Sequence, residues 1–136
     1  AAGLQAFHRR HKFLLLAHNQ NIYRELGPLV ANATGNLETA ASDYFAGFMS
    51  ALAKPASRLN HSNSLMHMQG YLKEHLDSTE RQDLSEQIDK YRTGTLPLLV
   101  PLALLQRYAN KYQVDYLLDQ YYFHPYPEDL RLRYGL

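Results

Sequence analysis

The 136-residue sequence contains no cysteine, which excludes disulfide bonds, thiolate metal sites and a cysteine nucleophile within this chain. Its longest apolar run, residues 96–105, is interrupted by Pro97 and Pro101 and is too short to span a bilayer. The N-terminal stretch AAGLQAFHRRH lacks the basic, apolar and small-residue order of a signal peptide. We therefore expect a cytoplasmic protein that does not span a membrane.

Sequence motifs of several enzyme classes are absent as well. There is no Walker, dinucleotide-binding or nucleophile-elbow pattern and no HExxH zinc motif. His8 and His11 have an HxxH spacing that a metal could use, but no carboxylate occurs before Glu25. We expect these histidines to be hydrogen-bonded at the edge of the core, and we predict no metal and no cofactor.

Charge is unevenly distributed along the chain, although the net charge is only +1. Residues 77–92 hold three bases and five acids, a net charge of −2, whereas residues 93–113 hold Arg107 and Lys111 without an acid. Residues 1–24 contain no acid and four bases, which are Arg9, Arg10, Lys12 and Arg24. An argument about an anionic partner therefore has to rest on these segments and not on overall charge.

The segment FHRRHKFLLLAH, residues 7–18, organises the rest of the chain. Its first half is cationic, and its second half is apolar on every side of a helix because Phe13 and Leu16 lie opposite Leu15. A helix that is apolar all round must be covered by neighbours, whereas the cationic half must reach solvent or an anionic partner. We expect a central packing helix with His11 and His18 at its polar boundary.

Helical periodicity recurs along the chain, and strand alternation does not. Gly27-Pro28 predicts a kink or break in the second helix, Asp77 and Glu80 predict a helix cap, and Gly94 predicts a helix end. The predicted helices cover residues 3–18, 21–32, 37–54, 56–76, 78–93, 97–112 and 114–119. The expected fold is all-α, a single compact domain over residues 1–136 with six or seven helices, and the aromatic, proline-containing C-terminal tail packed across them.

The fourth predicted helix has two stripes. Its core stripe consists of His61, Leu65, Met68, Leu72 and Leu76, and its polar stripe consists of Asn60, Asn63, His67, Tyr71 and Glu74. We interpret Asn63, His67 and Glu74 as a network that fixes helix packing. Their use in catalysis, together with His11 and His18 in a pocket between helices, is the alternative interpretation.

The basic residues of segment 1–24, which contains no acidic residue, predict a nucleic-acid site. Arg9, Arg10, Lys12 and Arg24 would attract phosphates, and exposed tyrosines would stack on unpaired bases. Arg107 and Lys111 would join this patch if the sixth helix packs beside the first. The alternative is a solvated helix end with ordinary tyrosine packing.

The stretches FHRRHKFLLLAH, YRELG, LMHMQGYLK, YRTGTLPLLVPLALLQRY and YYFHPYPEDLRLRYGL together resemble the YbgA-like family of bacterial domains of unknown function. This family occurs alone or joined to a domain resembling thiouracil desulfidases, whose cysteines hold an iron-sulfur cluster. The resemblance implies a helical accessory domain associated with sulfur removal from thiolated uridine, with transfer RNA as the ligand. It implies no catalytic role for the motif residues Arg9, Arg10, Lys12, Tyr23, Arg24, His67, Lys73 and Arg107.

Two functional hypotheses follow from these features. The first is an RNA-binding domain without catalytic activity that positions transfer RNA for a desulfidase supplied by another domain. The second is a protein-interaction or oligomerisation module that docks on a desulfidase or on itself through its tyrosine-rich tail and polar asparagine stripe.

Overall fold

Eight helices and a short 3-10 turn make up the part of the chain that the computed structural model describes, residues 2–32 and 37–123, and no strand occurs there. The predicted all-α class is confirmed. The helices are α1 Ala2–Arg10, α2 Lys12–His18, α3 Gln20–Ala31, α4 Leu37–Leu52, α5 Arg58–Leu72, α6 Ser78–Arg92, α7 Leu99–Lys111 and α8 Asp115–Leu118, followed by the turn Tyr121–Phe123. The predicted aromatic tail falls largely on residues 124–136, which lie outside the described residues.

Local sequence signals set several of the helix ends. Asn19 accepts a hydrogen bond from the Ile22 amide at the start of α3, and Ser57 caps α5 in the same way. Asp77 and Glu80 form the predicted capping box of α6. Beyond the other end of α6, Gly94 has a φ of +89°, the left-handed conformation that glycine adopts without strain.

A single first helix and a break at Pro28 are not observed. The first predicted helix is divided at His11 into α1 and α2, for a reason that involves a residue far along the chain and is described below. Conversely, α3 continues through Pro28 without the expected break. Leu26 and Val30, on either side of this proline, are both buried in the same core cluster, and that packing outweighs the lost hydrogen bond.

The buried side chains form two clusters that meet at α2. The larger cluster contains Phe13 and Leu16 of α2 together with residues from α5 to the 3-10 turn. The smaller cluster contains Leu15 of α2 together with residues of α1, α3 and α4. Phe13 and Leu15 have no exposed surface, so the prediction that α2 is a central packing helix is confirmed.

Helix packing follows from this shared position. α2 packs against α5, α3 and α4, and α5 in turn packs against α6 and α7. α7 packs mainly against α5, α6 and α8. No helix within residues 2–32 and 37–123 is both long enough and apolar enough to cross a membrane.

Candidate functional site

A bend between α1 and α2 places the basic residues of the N-terminal segment. In an unbroken helix the amide of Phe13 would donate to the carbonyl oxygen of Arg9. Here the side-chain amide of Gln120 is inserted between them: its Nε2 donates to Arg9 O at 2.7 Å, and its Oε1 accepts from Phe13 N at 3.4 Å. Gln120 is buried. A side chain inserted into the hydrogen-bond ladder is a recognised cause of a helix bend.

His11 occupies the bend itself and is buried there. Its Nδ1 donates to the carbonyl oxygen of Phe7 at 2.7 Å, and its ring stacks on Phe7 and Tyr121 with centroid separations of 4.0 and 4.8 Å. Burial lowers the pKa of His11, although the hydrogen bond to Phe7 partly opposes this. His11 therefore serves as a neutral, structural side chain at the edge of the core.

Lys12 follows the bend, and its ammonium group lies among aromatic rings. Its Nζ donates to the Tyr71 hydroxyl at 3.1 Å and lies 5.4 Å from the ring centroids of Phe13 and Tyr71 and 6.0 Å from that of Tyr116. Burial alone would lower the pKa of Lys12, but the hydrogen bond to Tyr71 and the nearby tyrosines raise it. Lys12 is therefore a fixed cation at neutral pH.

Tyr71 and Tyr116 complete the surroundings of this cation. Their rings stack with centroids 4.8 Å apart. Burial acts to raise the pKa of Tyr71, but hydrogen bonding to Lys12 and to Tyr116 outweighs it and lowers this pKa. Burial raises the pKa of Tyr116. Tyr71 as a whole is 41% exposed, and one face of its ring is covered by Tyr116.

A second aromatic group continues from this site along α1. The Nδ1 of His8 lies 3.0 Å from the Tyr44 hydroxyl, and the His8 ring stacks on Tyr23 with centroids 5.1 Å apart and an interplanar angle of 12°. Burial, and then the charges of His11 and Lys12, lower the pKa of His8. Tyr23 packs against both core clusters. We call this region the Lys12 surface; it consists of His8, Lys12, Tyr23, Tyr71 and Tyr116, with the fully buried Tyr44 hydrogen-bonded to His8.

The predicted arginines flank the Lys12 surface. Arg9 and Arg10 are exposed in the last turn of α1, and Arg24 is exposed on α3, directly after Tyr23. The ion pairs among the described residues join Arg92 to Asp89 and Lys111 to Glu80. The three arginines therefore have no acidic partner within the described ranges.

The other two predicted bases lie on α7, whose main packing partners are α5, α6 and α8 rather than α1. Lys111 Nζ donates to Glu80 Oε2 at 2.8 Å, and the Tyr112 hydroxyl donates to the same carboxylate. Hydrogen bonds from Lys111, from Tyr112 and from the Asp77 amide lower the pKa of Glu80 to about 2. The charge of Lys111 is thus neutralised locally, while a contact of the exposed Arg107 with nucleic acid stays a prediction.

The residues of the predicted polar site, His11, His18, Asn63, His67 and Glu74, do not come together in the structure. His18 donates through Nδ1 to the carbonyl oxygen of Lys54 at 2.7 Å, away from the bend that holds His11. Asn63 is half-buried, while His67 and Glu74 are exposed, and no hydrogen bond among the described residues joins the three to one another. Within the same ranges, no three histidine or acidic side chains are grouped so as to hold a metal.

Sequence reasoning missed the side chains that complete the Lys12 surface. The sequence marks Tyr71 only as part of the polar stripe of α5, and Tyr23 only as part of a motif. Tyr116 and Gln120 have no local signal, since they follow Lys12 by more than a hundred residues. Their contribution depends on how α8 and the 3-10 turn return to α2.

Together these features define an all-α domain with a cationic and aromatic surface beside its central helix. The chain belongs to the family described as "Protein of unknown function (DUF1722)", whose model matches residues 12–127. It is 42% identical over 135 residues to the "Uncharacterized protein YbgA" of Escherichia coli strain K12, a match that covers 98% of this chain and 80% of that protein. The predicted membership of the YbgA-like family is therefore confirmed. No solved structure matches the chain.

Proposed function

We propose that this domain binds single-stranded segments of RNA, with transfer RNA as its ligand, and presents them to a desulfidase active site supplied by another domain. The Lys12 surface carries this proposal, because it combines a fixed cation with a partly exposed tyrosine beside exposed arginines. Phosphates would contact Arg9, Arg10, Lys12 and Arg24, and an unpaired base would stack on Tyr71. The desulfidase association and the choice of transfer RNA come from the family resemblance alone.

Charge reversal tests the phosphate contacts. Transfer RNA binding by the variant Arg9→Glu, Arg10→Glu, Lys12→Glu should weaken across a salt series. The slope of log affinity against log salt should flatten by about 0.7 for each single-strand phosphate that no longer meets a cation. A matched control reverses three exposed bases elsewhere, with Lys54→Glu, Lys90→Glu and Arg92→Glu. Equal losses of affinity in the two variants would contradict binding at the Lys12 surface.

Substitutions at Tyr71 test the stacking interaction separately. Tyr71→Phe removes the hydroxyl that accepts from Lys12 but keeps the ring, whereas Tyr71→Leu removes the ring. We expect Tyr71→Leu to weaken binding of a single-stranded oligonucleotide by about 1–3 kcal/mol and Tyr71→Phe to weaken it much less. Equal affinity of the Leu and Phe variants would exclude base stacking on this residue.

A second candidate function, a protein-interaction or oligomerisation module, is favoured by an apolar surface on α4. Phe45 and Met49 are one helical turn apart and are 42% and 63% exposed, and Leu37 on the same helix is also exposed. Size-exclusion chromatography with light scattering distinguishes the candidates. A monomer whose mass does not change when a desulfidase is added would count against this function.

A further inference from the structure

A groove between α5 and α6, open to solvent, lies away from the Lys12 surface and has a volume of about 320 Å³. Met66, Gln69, Gly70 and Lys73 contribute to it from α5 and the residue that follows, at the three-and-four spacing of one helix face. The volume lies at the lower end of the range of small-molecule sites, about 300–1,000 Å³. The groove can therefore accept a ligand of mononucleotide size.

Two cations line one part of this groove without an acidic partner among the described residues. Arg81 Nε donates to the carbonyl oxygen of Lys73 at 3.1 Å, which fixes the guanidinium and leaves its terminal nitrogens available. Two acids close to Arg81 in the sequence have other partners: Asp77 accepts from the Glu80 amide, and Glu80 accepts from Lys111. An anion with several oxygens, such as a phosphate, matches this pair of cations.

The wall contributed by α5 suits a flat ring. Gly70 is exposed, and a Cβ built on it would meet no neighbouring atom within 4 Å, so the helix backbone there is open to a planar group. Met66 is 50% exposed, and its thioether borders the same cavity. Sulfur in contact with an aromatic ring is a favourable arrangement.

A pair of neutral polar side chains completes the groove. Gln69 Nε2 donates to Ser85 Oγ at 2.7 Å. Among the described residues, no further partner is bound to the Gln69 carbonyl oxygen or the Ser85 hydroxyl hydrogen, so both can pair with the polar edge of a base. A fatty acid would not use these groups, whereas a nucleobase would use both.

From these contacts we infer that the groove between α5 and α6 binds a nucleoside monophosphate unit, with its phosphate at Lys73 and Arg81 and its base against Met66 and Gly70. This site goes beyond the proposed function, because it lies on a different face of α5 from Tyr71. The unit could belong to a free nucleotide or to an RNA strand, which present the same phosphate and base. Separate ligands distinguish these two sources.

The test uses the full chain and isothermal titration with uridine 5′-monophosphate, adenosine 5′-monophosphate, uridine and inorganic phosphate. We expect a monophosphate to bind at least tenfold more tightly than uridine or phosphate alone, since only it reaches both parts of the groove. Lys73→Gln and Arg81→Gln should each weaken binding about tenfold, as expected for loss of a charge-assisted hydrogen bond. Competition by a 5′-phosphorylated hexanucleotide would identify an RNA strand as the source, and its failure to compete would identify a free nucleotide.

Three results would overturn the inference. The first is a loss of nucleotide affinity in the matched control Lys90→Gln that equals the loss in Arg81→Gln. Lys90 is an exposed base on α6 outside the groove. The second is phosphate binding as tight as nucleotide binding, or no nucleotide binding at millimolar concentration. The third is loss of mononucleotide binding in the Arg9, Arg10 and Lys12 triple variant, which would place the nucleotide at the Lys12 surface. If the triple variant still binds the mononucleotide, the groove is distinct from the proposed RNA site.

Discussion

The two core clusters that share α2 differ in size and in the helices that build them. The larger cluster is rich in aliphatic side chains from α5, α6 and α7, such as Leu65, Leu84 and Leu105, all without exposed surface. The smaller cluster has fewer buried residues and is extended by aromatic rings, with Phe7 in edge-to-face contact with Phe48 at 5.1 Å. Aromatic rings occur in both clusters, since the larger one also contains the buried Tyr91, Tyr108 and Tyr122. The larger cluster joins α2 to α5, α6, α7 and α8, whereas the smaller one joins it to α1, α3 and α4.

The position of α2 between the two clusters explains where the candidate site lies. Tyrosine and histidine have an apolar body and a polar tip, so they suit positions where a core ends and solvent begins. Tyr23 packs against both clusters, and Lys12 lies beside Phe13 of the larger one. The Lys12 surface thus lies where the two core clusters meet, and α2 is the helix that they share.

The largest expected effect comes from truncating a buried side chain of α2 in either cluster. Phe13→Ala should cost about 3–5 kcal/mol of the free energy of unfolding and Leu15→Ala about 2–5 kcal/mol, because each leaves a cavity in a fully buried position. Urea unfolding followed by circular dichroism measures both. Leu59→Ala, at a position 74% exposed, is the control and should change stability by less than about 0.5 kcal/mol.

We also expect each variant to unfold in one transition, because α2 belongs to both clusters. Two separated transitions for Leu15→Ala, with the helices of the larger cluster persisting, would show that the clusters are independent folding units.

A smaller effect is expected from Gln120, which ties the bend of α1 and α2 to the end of the described chain. Gln120→Ala removes the partners of Arg9 O and Phe13 N and should cost about 1–3 kcal/mol, the usual penalty for an unpaired buried polar group. Amide exchange at Phe13 should also accelerate. Gln82→Ala on the exposed face of α6 is the control. If Gln120→Ala is as stable as the unmodified protein, the Phe13 amide bonds directly to the Arg9 carbonyl oxygen in the variant, and Gln120 does not stabilise the fold.

A further effect concerns pH and the larger cluster. His61 is hydrogen-bonded to the buried Tyr122 hydroxyl, and burial, followed by the charge of His18, lowers the pKa of His61 from 6.5 to about 4. The unfolded chain therefore binds more protons between these values, so stability should fall as pH falls from about 6.5 toward 4.

Stability measured by urea unfolding from pH 7 to pH 4 provides the check. His61 should contribute an uptake of up to about one proton on unfolding, and His61→Gln should make the pH dependence shallower. His67→Gln, which changes an exposed histidine on the same helix, is the matched control substitution. A His61→Gln profile parallel to that of the unmodified protein would contradict the assignment.

Several elements of the fold could be predicted from the sequence because their causes are local. The capping box of Asp77 and Glu80 and the left-handed Gly94 involve residues next to the helix that they delimit. The core stripe of α5 follows from helical spacing, and Leu65, Met68 and Leu72 are all buried as expected.

The wrong predictions concern effects that act between distant segments. Pro28 is a helix breaker by its own chemistry, but the packing of Leu26 and Val30 keeps α3 continuous. The bend at His11 depends on Gln120, which has no distinguishing feature in the sequence. A local pattern contains no information about such a contact.

The candidate site shows the same division. The acid-free bases could be read from residues 1–24, but neither the role of Tyr71 in holding the Lys12 ammonium nor the pairing of Lys111 with Glu80 could. Charge is a property of a residue type, whereas the surroundings that fix or neutralise that charge are brought by other helices.

The sequence by itself determined the all-α class, the apolar character of α2 and the cluster of bases before it, because periodicity, capping and charge are properties of neighbouring residues. Only the tertiary structure decided that α2 bends at His11, joins two cores and carries a lysine enclosed by tyrosines. The physical reason is that burial and hydrogen-bond pairing depend on contacts between residues far apart in the chain, which form only when the helices pack.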